Sequence, residues 1–199
     1  YLVEEAVECF LRQDYPDKEL VIVNDTPGQS LVFDHPQVRI LNHPTRFPTL
    51  SAKIQYGVDH ATGEALCRWD DDDIHLPHRL SYSATKLADR LEWRAANHLY
   101  DCGHLTETVG PGNSHVHALW RRTVLSYFPD RIYPQGVSGC EDQLFNRYLG
   151  QYISYGTGAE RVPPQDIYYL YRWLTGSNHL SGRAGGPPDN PHQPHWDAI

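Results

Sequence analysis

The sequence predicts an α/β fold, and three observations carry that prediction. Helical and strand-like patterns alternate over residues 2–92, the order of elements that builds a sheet flanked by helices. The first strand-like run, Glu19-Leu20-Val21-Ile22-Val23-Asn24, is apolar and rich in β-branched residues, as in a strand buried within a parallel sheet. Two of the strand-like runs end in acid, at Asn24-Asp25 and at Asp70-Asp71-Asp72-Asp73. In open α/β sheets, ligands bind beyond the carboxyl ends of the strands.

The elements follow in order. Leu2, Val3, Ala6, Val7, Phe10 and Leu11 share one face of a helix over residues 2–13, and Pro16 ends that pattern. Glu19 to Asn24 is a short buried strand, and Asp25-Thr26-Pro27-Gly28 is a turn. Gln37 to Leu41 is a second strand. Thr49 to His60 is a helix with Leu50, Ile54 and Val58 on one side, closed by Gly63 as a cap. Glu64 to Trp69 is the third strand and runs straight into the four aspartates. Pro77 to Glu92 is a helix with proline in its first turn. Ser114 to Trp120 alternates as a strand does. Gly139 to Leu149 is a helix with Glu141 and Asp142 in its first turn, where acids favour the helix dipole. Tyr168 to Leu174 is an aromatic-rich strand or loop. The expected organisation is one domain over residues 1–182 and a Gly/Pro-rich tail over 183–199.

Composition narrows the function. With 40% apolar residues, a chain of 199 can bury a real core. Seventeen Lys and Arg against 25 Asp and Glu give a net charge of −8 and no basic stripe, which argues against nucleic acid as a partner. No apolar run reaches the ~20 residues of a membrane span. Cys9, Cys67, Cys102 and Cys140 form no Cys-x-x-Cys pair. Reduced thiols and a cytoplasmic location are expected. His75, His78, His115 and His117 are not spaced as a zinc site, and the tail pair His192 and His195 suggests none.

The aspartate run carries the chemistry. Adjacent carboxylates repel, so ionising all four is costly unless a cation sits among them. They offer the hard oxygen ligands that Mg²⁺ or Mn²⁺ prefers. A solvated acidic loop is the alternative reading. A phosphoryl hydrolase ranks lower, because the chain has no Walker-type loop.

Five pieces then stand in one order: Gln13-Asp14-Tyr15-Pro16, Leu20 to Asp25, Ala61-Thr62-Gly63-Glu64, Trp69 to Asp73 with Pro77, and Gly139-Cys140-Glu141-Asp142. In that order the chain resembles the inverting family-2 glycosyltransferases of the GT-A fold, the Rossmann-like fold of nucleotide-diphospho-sugar transferases. The resemblance covers roughly residues 2–150, and more loosely Tyr171-Arg172-Trp173 and His179. It implies a hexosyltransferase-like enzyme working in surface-polysaccharide assembly. The donor would be a nucleotide-diphosphate sugar, UDP-sugar favoured over GDP-sugar. The acceptor would be a saccharide or another hydroxyl compound.

The implied roles fall residue by residue. Asn24 and Asp25 would meet the nucleotide, Asp25 at its base. Lys53 would place charge near the phosphates. Asp70 and Asp71 would face the donor, with Asp70 at the ribose or the metal, and Asp72 would ligate Mn²⁺ or Mg²⁺. His179 would complete the metal shell, and Arg172 and Trp173 would lie near donor and acceptor. Asp142 would be the catalytic base, with Glu141 beside it. Asn24 stands where the family often has a second acid. The family's first strand is expected to be missing, since Tyr1 already lies in the helix that should follow it. That gap motivates the alternative of a degenerate module that binds nucleotide and metal without turnover.

Overall fold

The computed structural model describes residues 2–101, 104–109, 118–128, 145 and 159–172. Glu141, Asp142, Trp173 and His179 lie outside the described residues, as do the boundary at 182 and most of the predicted strand over 114–120 and helix over 139–149.

Helix α1 (Leu2–Leu11) buries Ala6, Val7 and Phe10, the one-face spacing read from the sequence. Val7 and Phe10 pack on Leu20 and Val38, with Leu11, Ile22 and Trp69 at the edge of the cluster. Those partners belong to β1 (Leu20–Asn24) and β2 (Val38–Asn42), which pair in parallel with Asn24 opposite Asn42. Helix α2 (Leu50–His60) is capped by the Thr49 hydroxyl, which accepts from the Ala52 N–H at 3.2 Å. It lies close on β1: a Cβ added at Gly57 would stand 3.3 Å from Val23 Cγ2.

The remaining strands are short. β3 (Ala65–Leu66) and β5 (Glu92–Trp93) flank β8 (Leu119–Arg121) in a three-stranded sheet. A four-stranded sheet runs β4 (Ile74–His75), β9 (Tyr169–Arg172), β6 (Asn97–Asp101), β7 (Leu105–Val109). Helix α3 (Arg79–Leu87) joins the two, with Leu87 in one core cluster with Trp93, Leu119, Tyr168 and Tyr169. A second cluster gathers Val58, Trp120, Val124 and Phe145.

Several expected boundaries shift. The fold is α/β as predicted, and β1–β2 and β6–β9 are parallel, but the other described ladders are antiparallel. Beyond α2 the chain turns back in short extended pieces, and such connections favour antiparallel pairing. The third strand pairs only over Ala65–Leu66. Helix α3 is shorter at both ends than the expected Pro77–Glu92. It begins after Pro77-His78 and stops at Ala88, whose φ is +37°. Glu92 and Trp93 are then drawn into the ladder with Leu119 and Trp120, a case of tertiary pairing overriding helical period.

Gly63 is not the cap of α2. Ala61 holds that place, its N–H bonded to the Gly57 carbonyl at 3.0 Å. Gly63 is small for another reason: a Cβ there would lie 3.1 Å from the Ala65 carbonyl. Its N–H donates to Glu19 Oε1 at 2.8 Å, and the same oxygen accepts from the Thr62 hydroxyl at 2.7 Å and from the Thr62 N–H. One carboxylate at the start of β1 thus fastens the turn that leads into β3. Gln13, buried at the end of α1, does similar service. It donates to the carbonyls of Cys9 and Leu76 and accepts from the Leu80 N–H at the start of α3.

Glu19 yields a pH prediction. Burial alone would raise its pKa, but the hydrogen bonds from Thr62 and Gly63 and the charge of Arg39 outweigh it and leave it lowered. A carboxylate lowered in the folded state stabilises above its unfolded pKa, about 4.3, and loses that contribution as pH falls through the folded value. Glu19→Gln is expected to cost about 1–2 kcal/mol at pH 7. The difference from wild type should shrink below pH 4 in urea melts.

Candidate functional site

The end of β1 is built by asparagines and closed by an ion pair. Asn24 donates to the Asn42 side-chain oxygen at 2.9 Å and to the Gln29 carbonyl at 3.1 Å, and accepts from the Thr26 N–H. Asn42 in turn holds both backbone groups of Leu31. The two facing asparagines therefore shape the loop that follows Asp25. Asp25 is 7% exposed and fully engaged at its carboxylate. Lys53 Nζ of α2 stands 2.9 Å from Oδ1, and the Phe47 N–H donates to Oδ2 at 3.1 Å. Burial opposes ionisation there, yet these bonds and the charges of Lys53 and Arg46 hold the pKa below its usual value.

The aspartate run forms the turn between β3 and β4. Its members have different surroundings. Arg68 donates to Asp70 Oδ1 from Nε at 3.2 Å and from Nη2 at 2.9 Å. Asp71 is exposed as a residue, but its carboxyl lies partly among protein atoms. That partial burial and the charges of Asp72 and Asp70 raise its pKa, while Lys53 acts to lower it. Lys53 thus bears on both acidic strand ends. The Asp72 carbonyl accepts from Arg172 Nε at 2.5 Å. Asp73 is 1% exposed; the Tyr169 hydroxyl donates to Oδ2 and the Arg172 N–H to Oδ1 at 2.9 Å. Burial, with the charge of Asp70, pushes its pKa to about 7 against those two hydrogen bonds.

Neighbouring elements brace the turn. Trp69 donates its indole N–H to the Ala6 carbonyl at 3.0 Å and meets Phe10 edge-on. Arg172 reaches Glu5 of α1 at 2.8 Å. Buried Arg79 of α3 donates to the Arg68 carbonyl at 2.8 Å and to His75 Nδ1 at 2.5 Å, its guanidinium 4.8 Å from the Trp69 ring. His75 is buried with its ring 4.0 Å from that of Trp69, in keeping with a structural role.

The structure therefore brings Asp70, Asp71 and Asp72 into one turn and joins Asp25 to Lys53. Lys53, expected at the phosphates, is paired with Asp25. Arg172, expected at the donor, has bonds that tie β9 to the turn and to α1. Asn24 is occupied in shaping its loop. Glu141, Asp142, Trp173 and His179 fall outside the described residues. Sequence reasoning passed over Arg68, Asn42 and the burial of Asp73. Of these only Arg68 left a trace, two residues before Asp70, the spacing at which side chains share a face of extended chain.

Asp70, Asp71 and Asp72 carry oxygens of the kind a hard divalent cation takes, Asp70 with one oxygen already met by Arg68, and the mutual repulsion felt at Asp71 is what such an ion would relieve. Among the described residues, no three His, Cys, Asp or Glu side chains converge as a complete metal centre. A shallow cleft of about 380 Å³ beside α3, lined by His78, Tyr82, Lys86 and Asp166 among others, contains none of the predicted site residues. No helix of the described residues is long and apolar enough to cross a membrane.

Comparison with known proteins bears on this geometry. The sequence model of the family described as glycosyl transferase family 2 matches residues 2–122, more than half of the chain. The Bacillus subtilis (strain 168) protein named "Putative glycosyltransferase EpsE" is 30% identical over 84 residues, which is 38% of this chain and 30% of that protein. The crystal structure of Staphylococcus aureus TarS 1-349 superposes with a TM-score of 0.67 at 15% identity, covering 86% of this chain and 56% of that one. The complex of TarS 1-349 with UDP-GlcNAc gives 0.68 at 16% identity, covering 89% and 56%. These structures share the GT-A fold with this chain. The chain spans about half the length of the TarS 1-349 structures and under a third of EpsE.

Removing Asp73 tests how the turn is held. Asp73→Ala leaves the Tyr169 hydroxyl and the Arg172 N–H without their acceptor, a cost of about 2–4 kcal/mol for two buried donors. Tyr169→Phe, which removes one donor and leaves Asp73 the other, should cost about 1 kcal/mol. Denaturant melts of the three proteins check the order.

Proposed function

The chain belongs to glycosyl transferase family 2, and from that premise we propose that it moves a sugar from a nucleotide-diphosphate donor to an acceptor hydroxyl with inversion. The observation that carries the reading is that Lys53, bonded to Asp25 at the end of β1, also bears by its charge on Asp71 in the acidic run after β3. Both lie inside the stretch that matches the family, at the strand ends where sheets of this type bind ligands. TarS structures with UDP and with UDP-GlcNAc support a UDP-sugar as donor over a GDP-sugar.

In this reading Asp25 receives the nucleotide base, with Asn24 and Asn42 fixing the loop beside it. Lys53 stands between base and phosphates, and leaving Asp25 for the anionic donor would strengthen its pull on them. Asp70 meets the ribose, and Asp72, with Asp70 and Asp71 beside it, would hold Mn²⁺ or Mg²⁺. His179 would add an imidazole to that ion. When bound, the ion supplies positive charge to the departing diphosphate. Asp142, with Glu141 beside it, takes the proton of the acceptor hydroxyl as its oxygen bonds to the anomeric carbon. The bond from that carbon to the diphosphate breaks on the opposite face, so one direct attack inverts configuration. Trp173 would lie near donor and acceptor, the latter a saccharide or another hydroxyl compound. A cytoplasmic location, where nucleotide sugars are made, accords with this role.

A second reading, a module that binds nucleotide and metal without turnover, draws on one observation. Asn24 stands in place of a second acid and is engaged with Asn42, Gln29 and Thr26.

Two variants separate the readings. Asp72→Ala should abolish the metal-dependent rise in melting temperature on adding UDP, a rise that binding to the folded state alone produces. Asp142→Asn should keep that rise and lower sugar transfer by about 10²–10⁴-fold, the contribution of a positioned base. Full transfer by Asp142→Asn would remove the base assignment. A UDP-dependent rise without transfer by the wild type would favour the binding module.

A further inference from the structure

Among the acids of the proposed site, Asp70 comes with a built-in counter-ion. Arg68 donates from both Nε and Nη2 to the single oxygen Oδ1. Neither partner is free in solvent: the side chains are 15% and 25% exposed. The main chain of Arg68 is fixed as well, because Arg79, 1% exposed, donates to its carbonyl at 2.8 Å and lies over the Trp69 ring. An arginine fixed at its main chain and donating twice to one carboxylate oxygen is a placed group rather than a surface charge.

That placement has a consequence for the next acid but one. A carboxylate whose charge is met by a guanidinium is a poor ligand for a divalent cation, since the ion would have to approach a second positive charge at close range. It remains a good acceptor for a neutral hydroxyl. Resting on the reading that Asp70 and Asp72 face donor and metal, we propose that Arg68 is a positioning residue that divides their labour. It holds Asp70 as a fixed acceptor for the nucleotide and leaves the ion to Asp72.

The proposal predicts effects of opposite sign, which a merely structural residue would not produce. In Arg68→Gln the positive charge is gone and Asp70 is released. Mn²⁺ alone, followed by the loss of its free-ion electron paramagnetic resonance signal, should bind about ten-fold tighter than to wild type, one unit charge at a partly exposed site being of that order. UDP in saturating Mn²⁺, followed by calorimetry, should bind about ten-fold weaker, because its acceptor is no longer held. Arg68→Lys keeps the charge without the fork and should leave Mn²⁺ affinity near wild type while weakening UDP. An Mn²⁺ affinity in Arg68→Gln equal to or below wild type overturns the proposal.

Circular dichroism controls for folding. Should Arg68→Gln not fold, Asp70→Asn carries the test. It should weaken UDP yet hold Mn²⁺ within about two-fold, whereas a ten-fold loss of Mn²⁺ would make Asp70 a metal ligand and sink the idea. Asp72→Asn keeps the two levels apart. Mn²⁺-dependent UDP binding that Asp72→Asn abolishes upholds the underlying site, and if Arg68→Gln then shifts neither affinity, only the role of Arg68 falls. If wild type binds neither Mn²⁺ nor UDP, both fall together.

Discussion

The candidate site depends on one buried carboxylate. Asp73 sits at the end of a run of four acids, yet it faces inward, where the Tyr169 hydroxyl and the Arg172 N–H meet its two oxygens. A buried charge persists only when its lone pairs are satisfied, and here both donors come from β9, about a hundred residues along the chain. The pairing of β4 with β9, Ile74 to Leu170 and His75 to Tyr169, continues directly from that contact. The inward turn of Asp73 fastens the loop that carries the three preceding acids, which are half-buried or exposed.

Around that anchor the other elements close in a definite order. Helix α1 supplies the Ala6 carbonyl to Trp69 and Glu5 to Arg172. Helix α3 supplies Arg79, which ties the Arg68 carbonyl to His75. Gln13 links those two helices through the Leu76 carbonyl and the Leu80 N–H. Several of these ties use a side chain to satisfy a backbone group, at Ala6, Arg68, Leu76 and Leu80, and the others join two side chains. The turn is therefore rigid because three elements share its hydrogen bonds, and rigidity at a binding loop lowers the ordering entropy that binding must otherwise meet.

Much of this was legible in the sequence. The first helix, expected over 2–13 and ending at Leu11, showed in the one-face spacing of its apolar residues, and β1 showed in its β-branched run. The acid ends marked the strand ends at which a ligand site is proposed. What stayed hidden was set by distant partners. Nothing local marks Glu92 and Trp93 as a strand, since β8 recruits them. Gly63 looked like a helix cap, but its need for smallness comes from the Ala65 carbonyl and its N–H serves Glu19. Four consecutive aspartates read alike, while the fold gives Asp70 an arginine, Asp71 its like-charged neighbours and Asp73 the interior. Arg172 carried the expectation of a donor contact. Only the register of β9 against β4 reveals that its backbone and side chain are committed to the turn.

The charge pattern explains why a cation belongs in the proposed chemistry. A nucleotide diphosphate is an anion, and the loop it must approach already holds four carboxylates in succession. Resident cations meet part of that charge: Arg68 bonds Asp70, and Lys53, bonded to Asp25, bears by its charge on Asp71. Asp73, with its pKa near 7, is partly protonated at neutral pH and adds less than a full charge. What remains is centred on Asp71 and Asp72. Like charges left uncompensated there repel an approaching anion, less strongly where solvent screens them. A diphosphate could not settle there without a positive group between it and the acids. Lys53, Arg68 and Arg172, the cations placed at the two strand ends, are already engaged with acids or carbonyls, so in the proposed reading a divalent ion at Asp72 would fill that gap. The same acids that repel a bare nucleotide would then become what binds it once the ion is in place.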